Sequence, residues 1–397
     1  MKNNRTFTLI LLAMTFFTWG LLTSANSILV PHFQDLFDLS YKQSMFVQIA
    51  FYLAPFLACI PTSIMMNRCG YKMTLSMSLV FTAVGAALFF CAVSFGSFSG
   101  ALLAIFILAL GVAAMQVVAN PYVTQLGEAA SAPRRLTFTS SINSLGTTLA
   151  PLFIGMTLVT LGIANLYLGI AFAVLTLAAV IFKSNIQDFK SELQSNFIGQ
   201  MQALFKQKNF MLGACTIFVY VGVEVSIGTV TISYLTDKNT AALAPSTAMT
   251  LISLYWGGSM FGRFAYSAFS QYIEPSKALG FSACCASMLI IFAILNSSIY
   301  GGAALIIVGL CNSFMYPVIF SKSIEGLGAL TGSASAVLIM CGIGGGVVPF
   351  IQAVMVDFTN VRMSYMVPLC GYLLILIYSV YSRKNAVGQQ YNQEIRG

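Results

Sequence analysis

The sequence predicts an all-α integral membrane protein with twelve transmembrane helices in two pseudo-symmetric six-helix bundles. Three observations carry that prediction. Of 397 residues, 58% are hydrophobic and only 8% are Asp, Glu, Lys or Arg, against about 25% charged in an ordinary soluble domain. So few charges cannot cover a water-soluble globule, which excludes a soluble enzyme, a nucleic-acid-binding domain and a disordered chain. Apolar runs of about 20 residues, the length a helix needs to cross a bilayer, recur along the whole chain. The second half then repeats landmarks of the first.

The first run, 7–31, follows Lys2 and Arg5 and closes at Pro31-His32. It is too long for a cleaved leader, and no small-residue cleavage site and soluble domain follow it. Spans 44–66 and 73–95 flank the basic turn Asn67-Arg68-Cys69-Gly70-Tyr71-Lys72, and span 100–123 closes around Pro121. Arg134-Arg135 precede 136–160, and 163–183 ends on Lys183. In the second half the runs are 210–236, 246–267, 277–297, 300–321, 331–356 and 364–382. A membrane β-barrel would instead show segments of about ten residues with alternating polarity.

Between the halves lies the longest polar break, 184–209. Its Phe189, Leu193, Phe197, Met201, Leu204 and Phe205 fall close to helical spacing. It reads as an amphipathic helix on the cytoplasmic membrane surface, joining domains 1–183 and 210–397. The halves correspond through Tyr52 and Tyr255, Pro121 and Pro317, and Pro151 and Pro349, each pair separated by about half the chain. With both termini inside, only Lys42, Lys238 and Arg362 of the nineteen basic residues lie outside. That asymmetry accounts for the net charge of +8 and sets the orientation. The nine cysteines lie mostly within apolar runs with no C-x-x-C pair or metal spacing, and read as small packing residues. No metal site is expected.

A charge at mid-membrane costs at least about 2.5–3.5 kcal/mol, so deep ionisable residues stand out. Of eleven acids only Glu224 lies mid-span, within Tyr220-Val-Gly-Val-Glu-Val-Ser-Ile-Gly228. Such a carboxyl can bind a proton, ligate Na⁺ or accept a hydrogen bond from a sugar hydroxyl. The bland alternative is a protonated packing contact, which Gln or Ser would make at lower cost. A second, neutral set comprises Asn26, Ser27, Gln48, Gln116, Asn120, Ser140, Asn143 and Asn312. Amides donate and accept, which suits a neutral polyol, but they also join helices. Trp19 and Trp256 lie well inside their spans, where an aromatic face can stack on a sugar ring. His32 reads as a plain outer-end histidine, and Gly342-Ile-Gly-Gly-Gly346 as close helix packing.

Two six-span halves related in this way are the architecture of the major facilitator transporters. The chain resembles their fucose–galactose–glucose:proton symporter family over nearly its whole length. The matching stretches are Ile28 to Phe33, Gln116 to Gly127, Arg135 to Gly146, Tyr220 to Gly228, Tyr255-Trp-Gly-Gly258 with Gly262-Arg263, and Asn312 to Ser321 with Ile343 to Gly346. Arg68 to Lys72 resembles the basic turn that latches helix ends between spans two and three of such carriers. Gln116 and the Glu224 motif resemble the glucose/galactose branch; the fucose branch places Glu where Gln116 stands. The chain departs at Ser27, where an Asp is usual, and at Ser140, where a Gln is usual, while Asn143 conforms. Lys322 replaces an apolar residue near a cytoplasmic helix end, where it can snorkel.

The resemblance implies a cation-coupled symporter, importing a neutral monosaccharide such as glucose, galactose or fucose across the bacterial inner membrane. Expected sugar contacts are Gln116, Asn143, Asn312, Asn26, Gln48, Asn120 and Trp256, with Glu224 as the coupling carboxyl. No cofactor is implied beyond co-transported H⁺ or Na⁺. The expected partners are the sugar and the lipid bilayer, with no nucleic acid, and the chain is expected to be a monomer. A uniporter, a Na⁺-coupled carrier and a non-transporting sugar sensor remain open alternatives. A membrane enzyme is disfavoured by the single His and the lack of a mid-membrane carboxylate pair.

Overall fold

A computed structural model describes residues 2–126, 132–188, 197–269, 272–327 and 330–394. Among them the regular structure is helical: α1 (Lys2–Phe37), α2 (Tyr41–Ser44), α3 (Phe46–Ser94), α4 (Phe98–Gln125), α5 (Ala132–Lys183), α6 (Phe197–Phe205), α7 (Lys208–Thr236), α8 (Pro245–Phe269), α9 (Pro275–Leu295), α10 (Ile299–Asn312), α11 (Met315–Ile324), α12 (Thr331–Met340), α13 (Gly344–Phe358) and α14 (Met366–Glu394). Large apolar side chains cover the outward faces, Phe172, Phe261 and Phe281 among them, while Gln48 and Asn312 are wholly buried. That polarity is the inverse of a soluble protein and suits a lipid surround.

α3 and α5 each contain two spans. Gly70 (φ 81°) and Gly162 (φ 75°) take the left-handed conformation that breaks each into two helices. Ten described helical stretches are long and apolar enough to cross a membrane. The remaining two spans are 132–161 and α8. Arg135, Ser140, Asn143 and Thr147 in the first, and Ser253, Ser259 and Arg263 in the second, lower their hydropathy.

The chain divides into two compact units, Met1–Ser195 and Asn196–Gly397. In the first, α1 packs on α5, and α3 on α4 and α5; in the second, α7 packs on α13, α10 on α8 and α9, and α14 on α9. The repeat extends to atoms. A Cβ on Gly146 would lie 2.4 Å from the Phe17 carbonyl oxygen of α1, and one on Gly344 would lie 1.9 Å from the Phe218 carbonyl oxygen of α7. Both glycines let paired backbones touch.

Three expectations change. The segment 184–209 is not one helix: 184–188 is non-helical, α6 covers only Phe197–Phe205, and Phe189 and Leu193 lie outside the described residues. Residues 187 and 188 are anchored to the first unit: Tyr122 donates to the Gln187 carbonyl (2.8 Å) and the Lys72 amide donates to Asp188 Oδ1 (2.9 Å). Asp188 thus sits against Gly70 in the basic turn, where a carboxylate also favours the start of the following helix. α6 packs against α7 and α12, burying Leu204.

The tenth span is broken at 313–314, between α10 and α11. Pro317 has no amide hydrogen for the Ser313 carbonyl four residues back, and its ring crowds that carbonyl. Arg263 Nε supplies the missing donor at 3.0 Å, and Phe314 stacks on Tyr266 with ring centroids 4.2 Å apart. The eleventh span passes through a 3₁₀ turn at Cys341–Ile343.

Candidate functional site

In the first unit the predicted amides separate into two kinds. Asn26 Nδ2 donates to Gln48 Oε1 at 2.8 Å, and Gln48 Nε2 reaches Ser27 Oγ at 3.5 Å. At 2% and 0% exposure, Asn26 and Gln48 tie α1 to α3. Asn143 is half-buried, and its Nδ2 donates to the Phe16 carbonyl at 2.9 Å, beside the Gly20 and Gly146 contacts that bring α1 and α5 together. Part of its amide serves helix pairing.

Gln116 differs from these. It is half-buried on α4, and among the described residues nothing bonds its side-chain amide. Asn120, one turn further, donates Nδ2 to the Gln116 backbone carbonyl at 3.1 Å and shares its face. The pair offers a side-chain amide already partly desolvated and without an internal partner, the arrangement that gains most from a hydroxyl-bearing ligand.

A 520 Å³ cavity lies between α1 and both halves of α5, lined by Met14, Phe17, Phe138, Ile142, Ile170 and Leu177. Its one hydroxyl, Thr18, bonds the Met14 carbonyl. Such a lining gives a sugar nothing to exchange for lost water.

The second unit holds the main polar cluster. Glu224 lies in the middle of α7, partly exposed, and Tyr220 one turn back places its hydroxyl 2.9 Å from Glu224 Oε1 and 2.8 Å from the Asn312 carbonyl. Tyr255 of α8 donates to the Glu224 backbone carbonyl at 3.0 Å and accepts from Asn312 Nδ2 at 2.9 Å. Tyr372 of α14 donates to Asn312 Oδ1 at 2.6 Å. Asn312 has no exposed surface, and both ends of its amide are bonded. It links three tyrosines, Tyr220, Tyr255 and Tyr372, beside Glu224.

Trp256, next to Tyr255, stays half-buried, and the two rings meet edge to face at 4.9 Å. A Cβ on Gly228 would approach Trp256 Cζ2 to 2.8 Å, so Gly228 is the seat of the indole. Gly228 and Glu224 are four residues apart on one face of α7. An aromatic plate and a carboxyl therefore lie one turn apart, with hydrophobic and hydrogen-bonding surface in the combination that sugars need. Trp19 packs instead on Phe16 at 5.5 Å.

None of Tyr220, Tyr255 and Tyr372 is among the expected sugar contacts. Tyr220 could have been found by its helical spacing from Glu224. Tyr372 gives no signal until the twelfth span is placed.

The Major Facilitator Superfamily model matches residues 8–349. The chain is 36% identical to the glucose/galactose transporter of Brucella abortus, over 97% of this chain and 96% of that protein. It is 28% identical to the L-fucose-proton symporter of Escherichia coli, over 95% of this chain and 93% of that protein. A crystal structure of the Escherichia coli fucose:proton symporter superposes with a TM-score of 0.72 at 25% identity, covering 96% of this chain and 99% of that one.

Proposed function

We propose that this chain, which belongs to the Major Facilitator Superfamily, imports a neutral hexose together with a proton by alternating access. It does so across a bacterial inner membrane, as a monomer with both termini in the cytoplasm. The observation that carries the reading is the pairing of Glu224 with the indole seated on Gly228. The similarity to proteins named for glucose and galactose, and for fucose and a proton, points to the same chemistry.

In this reading Trp256 beside Glu224 forms the hexose site of the second unit, and Gln116 with Asn120 offers amides to sugar hydroxyls in the first. The indole stacks on the apolar face of the ring, and the amides exchange water for sugar hydroxyls. Asn26, Gln48 and Asn312 keep the surrounding helices in register. Asn143 both joins α1 to α5 and offers its free amide oxygen. Glu224 carries the proton: neutral when loaded, it stays in place on α7 while its exposure switches sides, at lower cost than an ionised carboxyl.

Uptake of a panel of labelled sugars by proteoliposomes tests the function. Saturable uptake of glucose, galactose or fucose, raised by an inward proton gradient, is expected. A response to a Na⁺ gradient alone would reassign the cation, and equilibration without accumulation would make the chain a uniporter. No flux of any sugar would contradict transport.

Gln116→Ala is expected to weaken sugar affinity several-fold, since a net hydrogen bond is worth about 0.5–1.5 kcal/mol. Membrane insertion should be unchanged, because the amide has no internal partner to lose. Counterflow at varied sugar concentration measures this; unaltered affinity would remove Gln116 from the site.

A further inference from the structure

The break in the tenth span lies within hydrogen-bond reach of Glu224 through one phenol. Tyr220 has a single hydroxyl hydrogen and two acceptors for it, Glu224 Oε1 at 2.9 Å and the Asn312 carbonyl at 2.8 Å. Asn312 is the last helical residue of α10, immediately before the break at 313–314. Carbonyls at a helix end lack intrahelical partners, and Pro317 deepens the vacancy at Ser313. Two donors from neighbouring helices therefore support this end: Tyr220 at Asn312, and Arg263 at Ser313. The Arg263 bond involves no carboxyl. The Tyr220 bond borders one, the side chain of Glu224.

We propose that Tyr220 is a positioning residue of the transport cycle, reporting the protonation state of Glu224 to the hinge of the tenth span. This rests on the reading of Glu224 as the coupling carboxyl. An ionised Glu224 only accepts, so it draws the Tyr220 hydrogen and leaves the Asn312 carbonyl without it. A protonated Glu224 becomes a donor. Its hydrogen goes to the Tyr220 oxygen, and the phenol turns its own hydrogen to Asn312. The transported proton stays on Glu224 throughout, and Tyr220 neither gains nor loses one. Loading the carrier thereby tightens the hinge, and release loosens it.

The groups around Glu224 permit this division. From α8, Tyr255 bonds the Glu224 backbone carbonyl and leaves the carboxyl alone. Arg263 is the nearby cation and is engaged at the Ser313 carbonyl. From α14, Tyr372 is spent on Asn312 Oδ1. Among the described hydrogen bonds, Tyr220 is the group that reaches both the Glu224 carboxyl and the Asn312 carbonyl, and its ring is wholly buried.

Hydrogen–deuterium exchange of the full chain in lipid nanodiscs tests the inference at the amides of 314–316 and 318. After correction for the intrinsic pH dependence, exchange there should be slower in acid than in alkaline buffer, by about threefold to tenfold, the worth of one hydrogen bond. Tyr220→Phe should exchange fast at both pH values. It should also lose gradient-driven accumulation while retaining sugar counterflow. Glu224→Gln should exchange at the same corrected rate at both pH values, because its amide does not titrate. If the unmodified protein shows no corrected pH dependence at these amides, the inference is overturned without recourse to any variant. It is also overturned if Tyr220→Phe accumulates sugar normally while Glu224→Gln does not. Normal accumulation by Glu224→Gln would instead overturn the coupling assignment on which the inference stands.

Discussion

Glu224→Gln is expected to abolish gradient-driven accumulation of sugar while leaving counterflow exchange in place. The side chain keeps its size and can still bond Tyr220, whose hydroxyl lies 2.9 Å from the native carboxyl. Helix packing around it is unaltered, because Tyr255 bonds the backbone of residue 224, not its side chain. What disappears is the ability to take and release a proton. The carrier then alternates with a permanently neutral group and equilibrates sugar without concentrating it. A carboxyl that only bound sugar would behave differently, with accumulation and counterflow falling together. Normal accumulation by this variant would leave Glu224 a packing residue. Parallel assays of both activities in one proteoliposome preparation separate the three cases.

The second large effect is structural, at the glycine-rich turn of the eleventh span. Gly344→Val should sharply lower the yield of folded protein, and Gly342→Ala, two residues away, should be tolerated. A Cβ at 344 would lie 1.9 Å from the Phe218 carbonyl oxygen, whereas nothing lies within 4 Å of one at 342. The obstructing atom is backbone, so no rotamer change relieves it and α13 must move away from α7. Overpacking a well-packed core costs about 1–3 kcal/mol even where side chains can yield, and this contact should exceed that. Gly146→Val should repeat the effect in the first unit, against the Phe17 carbonyl. Thermal stability and monodisperse yield in detergent measure both. Equal behaviour of the 342 and 344 variants would contradict the close approach.

The fold was legible because lipid imposes so simple a demand. Charge-poor runs of spanning length can be little else, and the spacing of Pro121 and Pro151 recurs in Pro317 and Pro349. The helix break needed more. Pro317 was visible, but its consequence at Ser313 depended on whether a neighbour could cap the freed carbonyl, and Arg263 is 50 residues away in sequence. The amides show the limit most clearly. Asn26, Gln48, Gln116 and Asn312 are chemically alike as letters. Only placement separates the Asn26–Gln48 bond from the unbonded amide of Gln116. The tyrosines were obscured for a different reason, since a phenol within an apolar run counts as apolar until its hydroxyl finds a partner. Glu224 needed neither, because a lone acid at mid-span is conspicuous wherever it points.

The most direct test of proton-coupled hexose import reads the proton itself. In a lightly buffered suspension of de-energised vesicles containing the chain, addition of an accepted sugar should produce a transient alkalinisation of the medium. Protons then enter with the sugar, and a protonophore should remove the signal. Glu224→Gln vesicles should admit the sugar with no pH change. Sugar entry without alkalinisation in the unmodified protein would contradict the account.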